Sequence, residues 1–359
     1  MLSTRGYATR GPSLPLEPFD FERREPGPHD VLVDIQYCGV CHSDIHQARN
    51  EWGDSNYPMV PGHEIVGTAA VVGDNVRRFK AGSTVGVGTF VDSCRTCGPC
   101  RAGIEQYCEN GATFTYNCYE RDGKTLAQGG YSTYITVDEA YAFSIPTSIP
   151  PERAAPLLCA GTTTYSPLRH FGVKKDNRIA VVGLGGLGHM AVKLAKAMGA
   201  NVAVMSHSPN KREDAMRLGA DDFIATGDPE VFKKNASRFD FIIDTVSAKH
   251  DLNAYLNLLR LDGTMTLVGL PDPAPLAPSA LEGHRRRLTG SNVGGTRETL
   301  EMLDFCAKHG IAADVEVIPI QRIEEAFDRT VRSDVRYRFV IDIASLKSSG
   351  NDGASECSR

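Results

Sequence analysis

The sequence predicts a two-part chain, an all-β part followed by a doubly wound α/β part built on a parallel sheet. Up to about residue 150 the β-rich runs are short and divided by turn-forming sequence, whereas past Pro150-Pro151 strands alternate with helical stretches. The first strand of that alternation runs straight into Gly183-Leu184-Gly185-Gly186-Leu187-Gly188. A length of 359 residues, at roughly 150 per domain, agrees with two domains.

Taken in order, residues 1–30 hold five prolines and little periodicity. β-runs follow at 31–35 and 64–72, bounded by Gly, Pro and Asp, and again at 83–90 and 131–137, which together read as a β-barrel with long loops. Beyond it the pattern gives strand 178–182, helix 187–198, strand 201–205, helix 211–218, strand 239–243, helix 252–259 and strand 263–268. An amphipathic helix at 297–309, with Leu300, Leu303, Phe305 and Cys306 apolar, and a strand at 335–343 close the folded part. The Ser-, Gly- and charge-rich end predicts a disordered tail.

Hydrophobic residues make up 41% and charged residues 23%, the balance of a folded chain. A net charge of −5 offers no basic field for nucleic acid or an anionic membrane surface. No run approaches the ~18 apolar residues of a membrane span, and the first twenty residues lack the apolar core of a secretory signal. Neither a nucleic acid nor a membrane partner is expected, and a cytoplasmic location follows. Ten cysteines, four of them between residues 94 and 108, then point to metal and away from a disulfide scaffold.

The run Gly183 to Gly188 fits G-x-G-x-x-G between strand and helix. There the absent side chains let the backbone approach a pyrophosphate at the helix N-terminus, so Gly183, Leu184, Gly185, Gly186, Leu187 and Gly188 are candidate dinucleotide contacts. An NAD site places an acid about 20 residues on; here the segment is Met205-Ser206-His207-Ser208-Pro209-Asn210-Lys211-Arg212. Hydroxyls and cations suit a ribose 2′-phosphate, which favours NADP(H) with Ser206, Ser208 and Lys211 as contacts. The competing reading makes Lys211 and Arg212 a solvated first helical turn.

Cys94, Cys97, Cys100 and Cys108 supply four thiolates within fifteen residues, a spacing suited to a closed tetrahedral zinc site that holds a loop. An iron–sulfur cluster or redox-active Cys pairs are the alternatives, without a companion cluster or a thioredoxin-like context to support them. Cys41, His63 and Cys159 form a dispersed set of three ligands, which leaves a fourth zinc position for water or substrate. Glu64 approaches that metal from outside its ligands, and Asp44 is placed to orient the His63 ring.

These stretches resemble the zinc-dependent medium-chain dehydrogenases, and within them the cinnamyl alcohol dehydrogenase group. The likeness lies in Cys38-Gly39-Val40-Cys41-His42-Ser43-Asp44-Ile45-His46, Tyr57-Pro58-Met59-Val60-Pro61-Gly62-His63-Glu64 and the four-cysteine loop ending Glu105-Gln106-Tyr107-Cys108. It continues in Ala155-Pro156-Leu157-Leu158-Cys159-Ala160-Gly161, the glycine loop and Asp334-Val335-Arg336-Tyr337-Arg338-Phe339-Val340. It implies a GroES-like β-barrel catalytic domain at 1–155, a Rossmann NADP-binding domain at 156–292, a return to the catalytic domain at 293–345 and a tail at 346–359. A cleft between the domains, two zinc ions per subunit and a homodimer joined through the Rossmann sheets are implied with it.

The resemblance further implies reversible hydride transfer between NADP(H) and an aldehyde or alcohol, zinc polarising the carbonyl and a Ser43–His46 relay moving the proton. From the residues alone Ser43 reads rather as a helix cap or turn hydroxyl and His46 as a surface residue, and it is the resemblance that reverses this. His42 and Thr163, with Val268, Ser291 and Val293, fall where the family contacts its cofactor. Trp52, Phe114 and Asn292 fall where it walls its substrate pocket, although the lone Trp is as readily core. Phe114 and Asn292 replace the Trp and Phe usual in plant cinnamyl enzymes, which predicts a reductase of aromatic and medium aliphatic aldehydes. A non-catalytic redox sensor, and a reductase of C=C or imine bonds, are the competing functions. Cys38 and Cys118 read as structural, and Arg285-Arg286-Arg287 as a solvated or cofactor-side basic stretch.

Overall fold

The structure, a computed structural model, describes residues 1–348. The chain forms two compact units, one of residues 1–159 with the segment from 295 onward, the other of residues 160–294.

Strand Asp30–Gly39 organises the first unit. Val31, Leu32, Val33 and Ile35 are all buried, so successive side chains find cover on both faces. One edge pairs antiparallel with Ile65–Val72 in a register that shifts twice, and such irregularities bend a strand. The opposite edge is shared: residues 30–34 pair with Tyr134–Asp138 and residues 37–39 with Arg338–Asp342. A strand from the end of the chain therefore completes the sheet begun near its start. Val315–Pro319 flanks it on one side, and Thr84–Val87 and Ala142–Ser144 continue the other.

The proline-rich start, left without an element by its sequence, is a hairpin of Leu2–Ala8 with Glu17–Arg23. Pro12 and Pro15 lie in the connection and Pro18 on a two-stranded sheet's open edge, where a missing N–H is tolerated. The single run expected at 83–90 divides into Thr84–Val87 and Phe90–Asp92.

The second unit is a six-stranded, all-parallel sheet. Its spatial order is Asp222–Ala225, Asn201–Ser206, Arg178–Val182, Phe239–Asp244, Leu259–Leu267, Arg287–Gly290. In chain order that is 3-2-1-4-5-6, the Rossmann arrangement, and the order reverses between Arg178–Val182 and Phe239–Asp244. Ligands of such sheets bind outside the strand ends at that reversal, where both Gly183 and Thr245 lie.

Four further details differ from the sequence reading. Asp222–Ala225 and Arg287–Gly290 are four-residue edge strands too short to register as periodic runs. The helix expected over 252–259 ends at Leu256, and Leu259 opens a strand; Leu258 and Leu259 are buried apolar residues that satisfy either period. Arg286 is buried rather than solvated, its guanidinium donating to the Leu259 and Ala280 carbonyls at 2.9 and 3.0 Å. Residues 346–348 of the expected disordered tail are helical, within Ala344–Ser348, because Leu346 is buried and Lys347 pairs with Asp34; the rest of the tail, with Cys357, lies outside the described residues.

The chain re-enters the first unit at Gly295, where helix Thr296–His309 begins with Glu298 accepting the Gly295 N–H at 3.3 Å. The helix stops at Gly310, whose φ of 65° lies in the left-handed region.

Candidate active site and dinucleotide loop

Cys41 caps helix His42–Ala48, and its backbone N–H is held by Asp44 Oδ2 at 2.8 Å. The same carboxylate accepts the Gly62 N–H at 3.1 Å and the Tyr131 hydroxyl at 3.2 Å, and it lies 3.0 Å from His63 Nδ1. Asp44, fully buried, thus ties the cap of one helix to the segment carrying His63 and fixes one ring nitrogen, which leaves the other for Cys41. Burial lowers the proton affinity of His63, but the Asp44 charge overrides it and holds the ring well above its ordinary value.

Cys159, just after the turn Ala155–Leu158, brings its sulfur to 3.9 Å from Cys41 Sγ. Donor atoms of Cys41, His63, Glu64 and Cys159 all lie within 4.8 Å of one another, and all four residues are buried. A tetrahedral zinc with bonds of about 2.3 Å sets its sulfurs about 3.8 Å apart, so the two thiols fit one ion. The hydrogen bond between the two sulfurs holds Cys41 well below the ordinary thiol value and Cys159 well above it.

Glu64 is more intimate with this site than its sequence suggested: its carboxylate belongs to the donor cluster itself. Both its oxygens are buried without a hydrogen bond, and the Arg338 guanidinium stands 2.9 Å away as an ion pair whose geometry makes none. Burial, opposed by Arg338, pushes the Glu64 carboxyl up to about 7. A buried carboxylate without a hydrogen bond, beside two thiols and an imidazole, is the donor set of a cation site.

Ser43 Oγ lies 3.7 Å from Cys41 Sγ. His46 is three residues on, on the same helix face, and its Nδ1 meets Glu51 Oε2 at 2.5 Å. The rings of exposed His42 and of Trp52 flank it at 5.2 and 5.1 Å. Trp52 is 41% and Phe114 39% exposed, so the lone tryptophan is not core; Asn292 is exposed in the other unit. Glu51, Arg338, Tyr131 and Tyr116, whose ring stacks on His63 at 5.9 Å, were not singled out from sequence. Only Arg338 lay in a motif stretch.

The second cluster joins Cys94, Cys97, Cys100 and Cys108 within 4.8 Å, with sulfur separations of 3.3 Å for Cys97–Cys100 and 3.9 Å for Cys94–Cys100. Backbone N–H groups of Cys94 and Cys97 point at Cys108 and Cys94 sulfurs, each at 3.4 Å, and Ser93 Oγ lies 3.1 Å from Cys100 Sγ. Four free thiols turned inward on one point, with polar hydrogens directed at them, fit a closed zinc site. Cys38 is fully buried and Cys118 donates to the Phe114 carbonyl at 3.2 Å, both outside these clusters.

In the second unit the three glycines of the fingerprint separate by role. Gly183 has a φ of 90°, and a Cβ there would meet Thr245 Oγ1 at 2.7 Å. A Cβ on Gly188 would stand 2.2 Å from the Gly183 carbonyl oxygen, so helix and strand touch there. A Cβ on Gly185, which caps helix Gly186–Ala197, would meet nothing within 4 Å. That open space faces the helix N-terminus, and it is what a bound pyrophosphate needs. Leu184 is buried, while Gly186 and Leu187 are half-buried.

Ser206 ends its strand, its Oγ accepting the Ser208 N–H at 3.2 Å, and Lys211 Nζ donates to the Leu184 carbonyl at 3.0 Å, so the serines and the glycine loop are linked. Arg212 is occupied elsewhere, on the Phe223 carbonyl and ring. Val268 N–H donates to Asp244 O, Ser291 N–H to Leu267 O, and Val293 and Thr163 are buried.

Two family models match the chain: an alcohol dehydrogenase GroES-like domain over residues 27–147 and a zinc-binding dehydrogenase over residues 186–308. The NADP-dependent alcohol dehydrogenase C of Mycobacterium tuberculosis is 53% identical over 347 residues, 96% of this chain and 100% of that protein. A cinnamyl alcohol dehydrogenase structure from Sorghum bicolor superposes with a TM-score of 0.93 at 45% identity, covering 95% of this chain and 98% of that one. The Helicobacter pylori cinnamyl alcohol dehydrogenase complexed with NADP(H) gives 0.90 at 43%, covering 96% and 99%.

Proposed function

The chain belongs to the zinc-binding alcohol dehydrogenase family, and from that premise we propose that it is an NADP(H)-dependent alcohol dehydrogenase reducing aromatic and medium aliphatic aldehydes. One observation carries this: Cys41, His63 and Cys159 converge with a buried Glu64 carboxylate that makes no hydrogen bond, in a chain whose glycine loop is followed by serines and a lysine instead of an acid. Zinc held by those three ligands supplies a Lewis acid for the carbonyl oxygen, and NADP(H) supplies or accepts the hydride.

The chain's own part is positioning, charge and proton movement. Asp44 fixes the His63 ring, and Arg338 balances the charge of Glu64 beside the thiolates. Ser43, next to Cys41, stands where a hydroxyl can hand a proton to or from the substrate oxygen, and His46, on the same helix face and partly exposed, passes it to water. Glu51 holds Nδ1 of His46, which turns the other nitrogen toward exchange. Trp52 and Phe114 are the proposed pocket walls of the first unit. On the cofactor side Ser206, Ser208 and Lys211 take the 2′-phosphate, the Gly183 to Gly188 loop takes the pyrophosphate, and His42, Thr163, Val268, Ser291 and Val293 line the remainder. Cys94, Cys97, Cys100 and Cys108 hold the second zinc.

The retained ligand set argues against a non-catalytic sensor, and the presence of Ser43 and His46 against a C=C or imine reductase. We place the enzyme in the cytoplasm as a homodimer. No described cysteine is in a disulfide, no helix of the described residues is long and apolar enough to cross a membrane, and strand Arg287–Gly290 lies at an edge of its sheet, where a second copy could pair. The test is the initial rate of NADPH oxidation by zinc-replete protein with benzaldehyde and with hexanal, NADH alongside. Rapid turnover with NADPH and slow turnover with NADH supports the proposal; no turnover with either cofactor refutes it.

A further inference from the structure

The turn after strand Phe239–Asp244 plays no part in the chemistry above, yet it contains a partly buried pair, Asp244 with His250. Asp244 is fully buried at the strand's C-terminal end. One carboxylate oxygen accepts the Val246 N–H at 3.0 Å, and the other lies 2.7 Å from His250 Nε2. The second ring nitrogen, Nδ1, stands 2.8 Å from the Ala248 carbonyl oxygen. A carbonyl and a carboxylate both only accept, so the geometry suits a ring protonated at both nitrogens, an imidazolium. A neutral ring would set a lone pair against one of those oxygens.

The surroundings favour that cation. Asp244 lies against one ring nitrogen, Lys249 and Asp251 adjoin the residue in the chain, and Tyr255 of helix Leu252–Leu256 meets the ring edge-on at 5.4 Å. The hydrogen bond to Asp244 holds the ring above the ordinary histidine value against the opposing effect of burial, with the Ala248 carbonyl and Asp251 adding to it.

The turn is also built against the dinucleotide loop. Thr245 donates both its N–H and its hydroxyl to the Val182 carbonyl, at 3.0 and 2.8 Å. The space beside Gly183 Cα is closed by the same turn, since a Cβ there would stand 2.7 Å from Thr245 Oγ1 and 2.8 Å from Val246 Cγ2. The residue pinned by Asp244 through its N–H, Val246, is therefore one that confines the first glycine of the loop.

We propose that His250 is a positioning residue for NADP(H): bridging Asp244 and Ala248, it pins the 244–250 turn so that Thr245 and Val246 keep Gly183 in the shape that receives the cofactor. The inference rests on the reading of this loop as the NADP(H) site. A ring that gives up a proton loses one of its two bonds, and the turn slackens. The cation is the holding form, so affinity is full at low pH and falls as pH rises through the folded-state value, which lies above about 6.5. By linkage, bound cofactor must strengthen the hold of the ring on its proton.

The experiment measures dissociation constants of NADPH and NADH from the zinc-replete enzyme by fluorescence between pH 6.5 and 9, for the native chain and for His250→Gln. NADH lacks the 2′-phosphate, so the titration of that phosphate, at about pH 6, drops out of its profile. The native chain is expected to weaken for NADH by roughly fivefold across the range, the low end of measured site couplings, while H250Q stays flat. The His250 ring signals, followed by NMR in the native chain, should titrate above the ordinary histidine value and shift further upward with NADPH, a readout that does not depend on the variant folding. Identical pH profiles for the two proteins, or a ring titration indifferent to cofactor, overturn the inference and leave the dinucleotide site standing. Failure of both cofactors to bind at any pH overturns the dinucleotide reading and the inference with it.

Discussion

Gly39 and Glu64 share one space: a Cβ on Gly39 would stand 1.9 Å from Glu64 Oε2 and 2.9 Å from its Cβ and Cδ. The missing side chain of the first residue is the room in which the second turns its carboxylate toward Cys41 and Cys159. Gly39→Ala must then displace the carboxylate or the strand, at a cost of about 1–3 kcal/mol of overpacking. A displaced Glu64 leaves Arg338 unbalanced beside the metal ligands, and changes in such supporting residues lower metal affinity or activity by roughly 10- to 100-fold. Zinc content, melting temperature and kcat of G39A should fall together. A variant with both zinc ions and undiminished kcat would sink this account.

The four-cysteine loop has a structural reach that follows from Glu105. Its carboxylate accepts the Thr296 N–H at 2.9 Å and hydroxyl at 2.8 Å, at the start of helix Thr296–His309 where the chain re-enters the first unit. Cys97→Ser removes one donor from a closed site, so zinc per chain should drop from two to one by elemental analysis. The loop should become sensitive to limited proteolysis around residues 94–111, and the melting temperature should fall, because loop order and helix anchor are lost together. Two zinc ions retained with an unchanged protease pattern would refute the assignment.

Lys211 bears on cofactor choice. A charge-assisted hydrogen bond contributes ~1.5–3 kcal/mol, so Lys211→Ala should cut kcat/KM for NADPH by roughly 10- to 100-fold. Because Lys211 also donates to the Leu184 carbonyl in the glycine loop, NADH should lose some activity too, by a smaller factor. An equal loss for both cofactors would mean that the lysine supports the loop and does not read the phosphate.

What could be read in advance were features whose chemistry is local in sequence. The C-x-x-C spacings, the Gly183 to Gly188 run between strand and helix, and the absence of an acid near Ser206 each need only neighbouring residues to be interpreted. Glu64 was legible as a carboxylate close to Cys41, His63 and Cys159, but its pairing with Arg338 was not, since the strand carrying that arginine joins the sheet from the far end of the chain. The same holds for Tyr131 on Asp44, set by a fold-back that no periodicity announces. Short edge strands escaped because four residues cannot show a period, and Arg286 was misjudged because burial of a guanidinium depends on carbonyls supplied by Leu259 and Ala280. His250 gave no signal at all, as its partner Asp244 looks like one more acidic residue at a strand end.

The glycine loop offers a paired test that separates fold from binding. A Cβ on Gly188 would press to 2.2 Å against the Gly183 carbonyl oxygen, a backbone atom that cannot step aside without moving strand or helix. Gly188→Ala should therefore lower the melting temperature and weaken NADPH binding together. A Cβ on Gly185 touches nothing within 4 Å, so Gly185→Ala should melt with the native protein while still losing NADPH affinity, because its methyl occupies the space at the helix N-terminus that a pyrophosphate would fill. Thermal melts and NADPH fluorescence titrations on both variants decide the matter. If G185A binds NADPH as the native chain does, the open space at Gly185 is not the phosphate cradle, and the cofactor must enter by another face of the sheet.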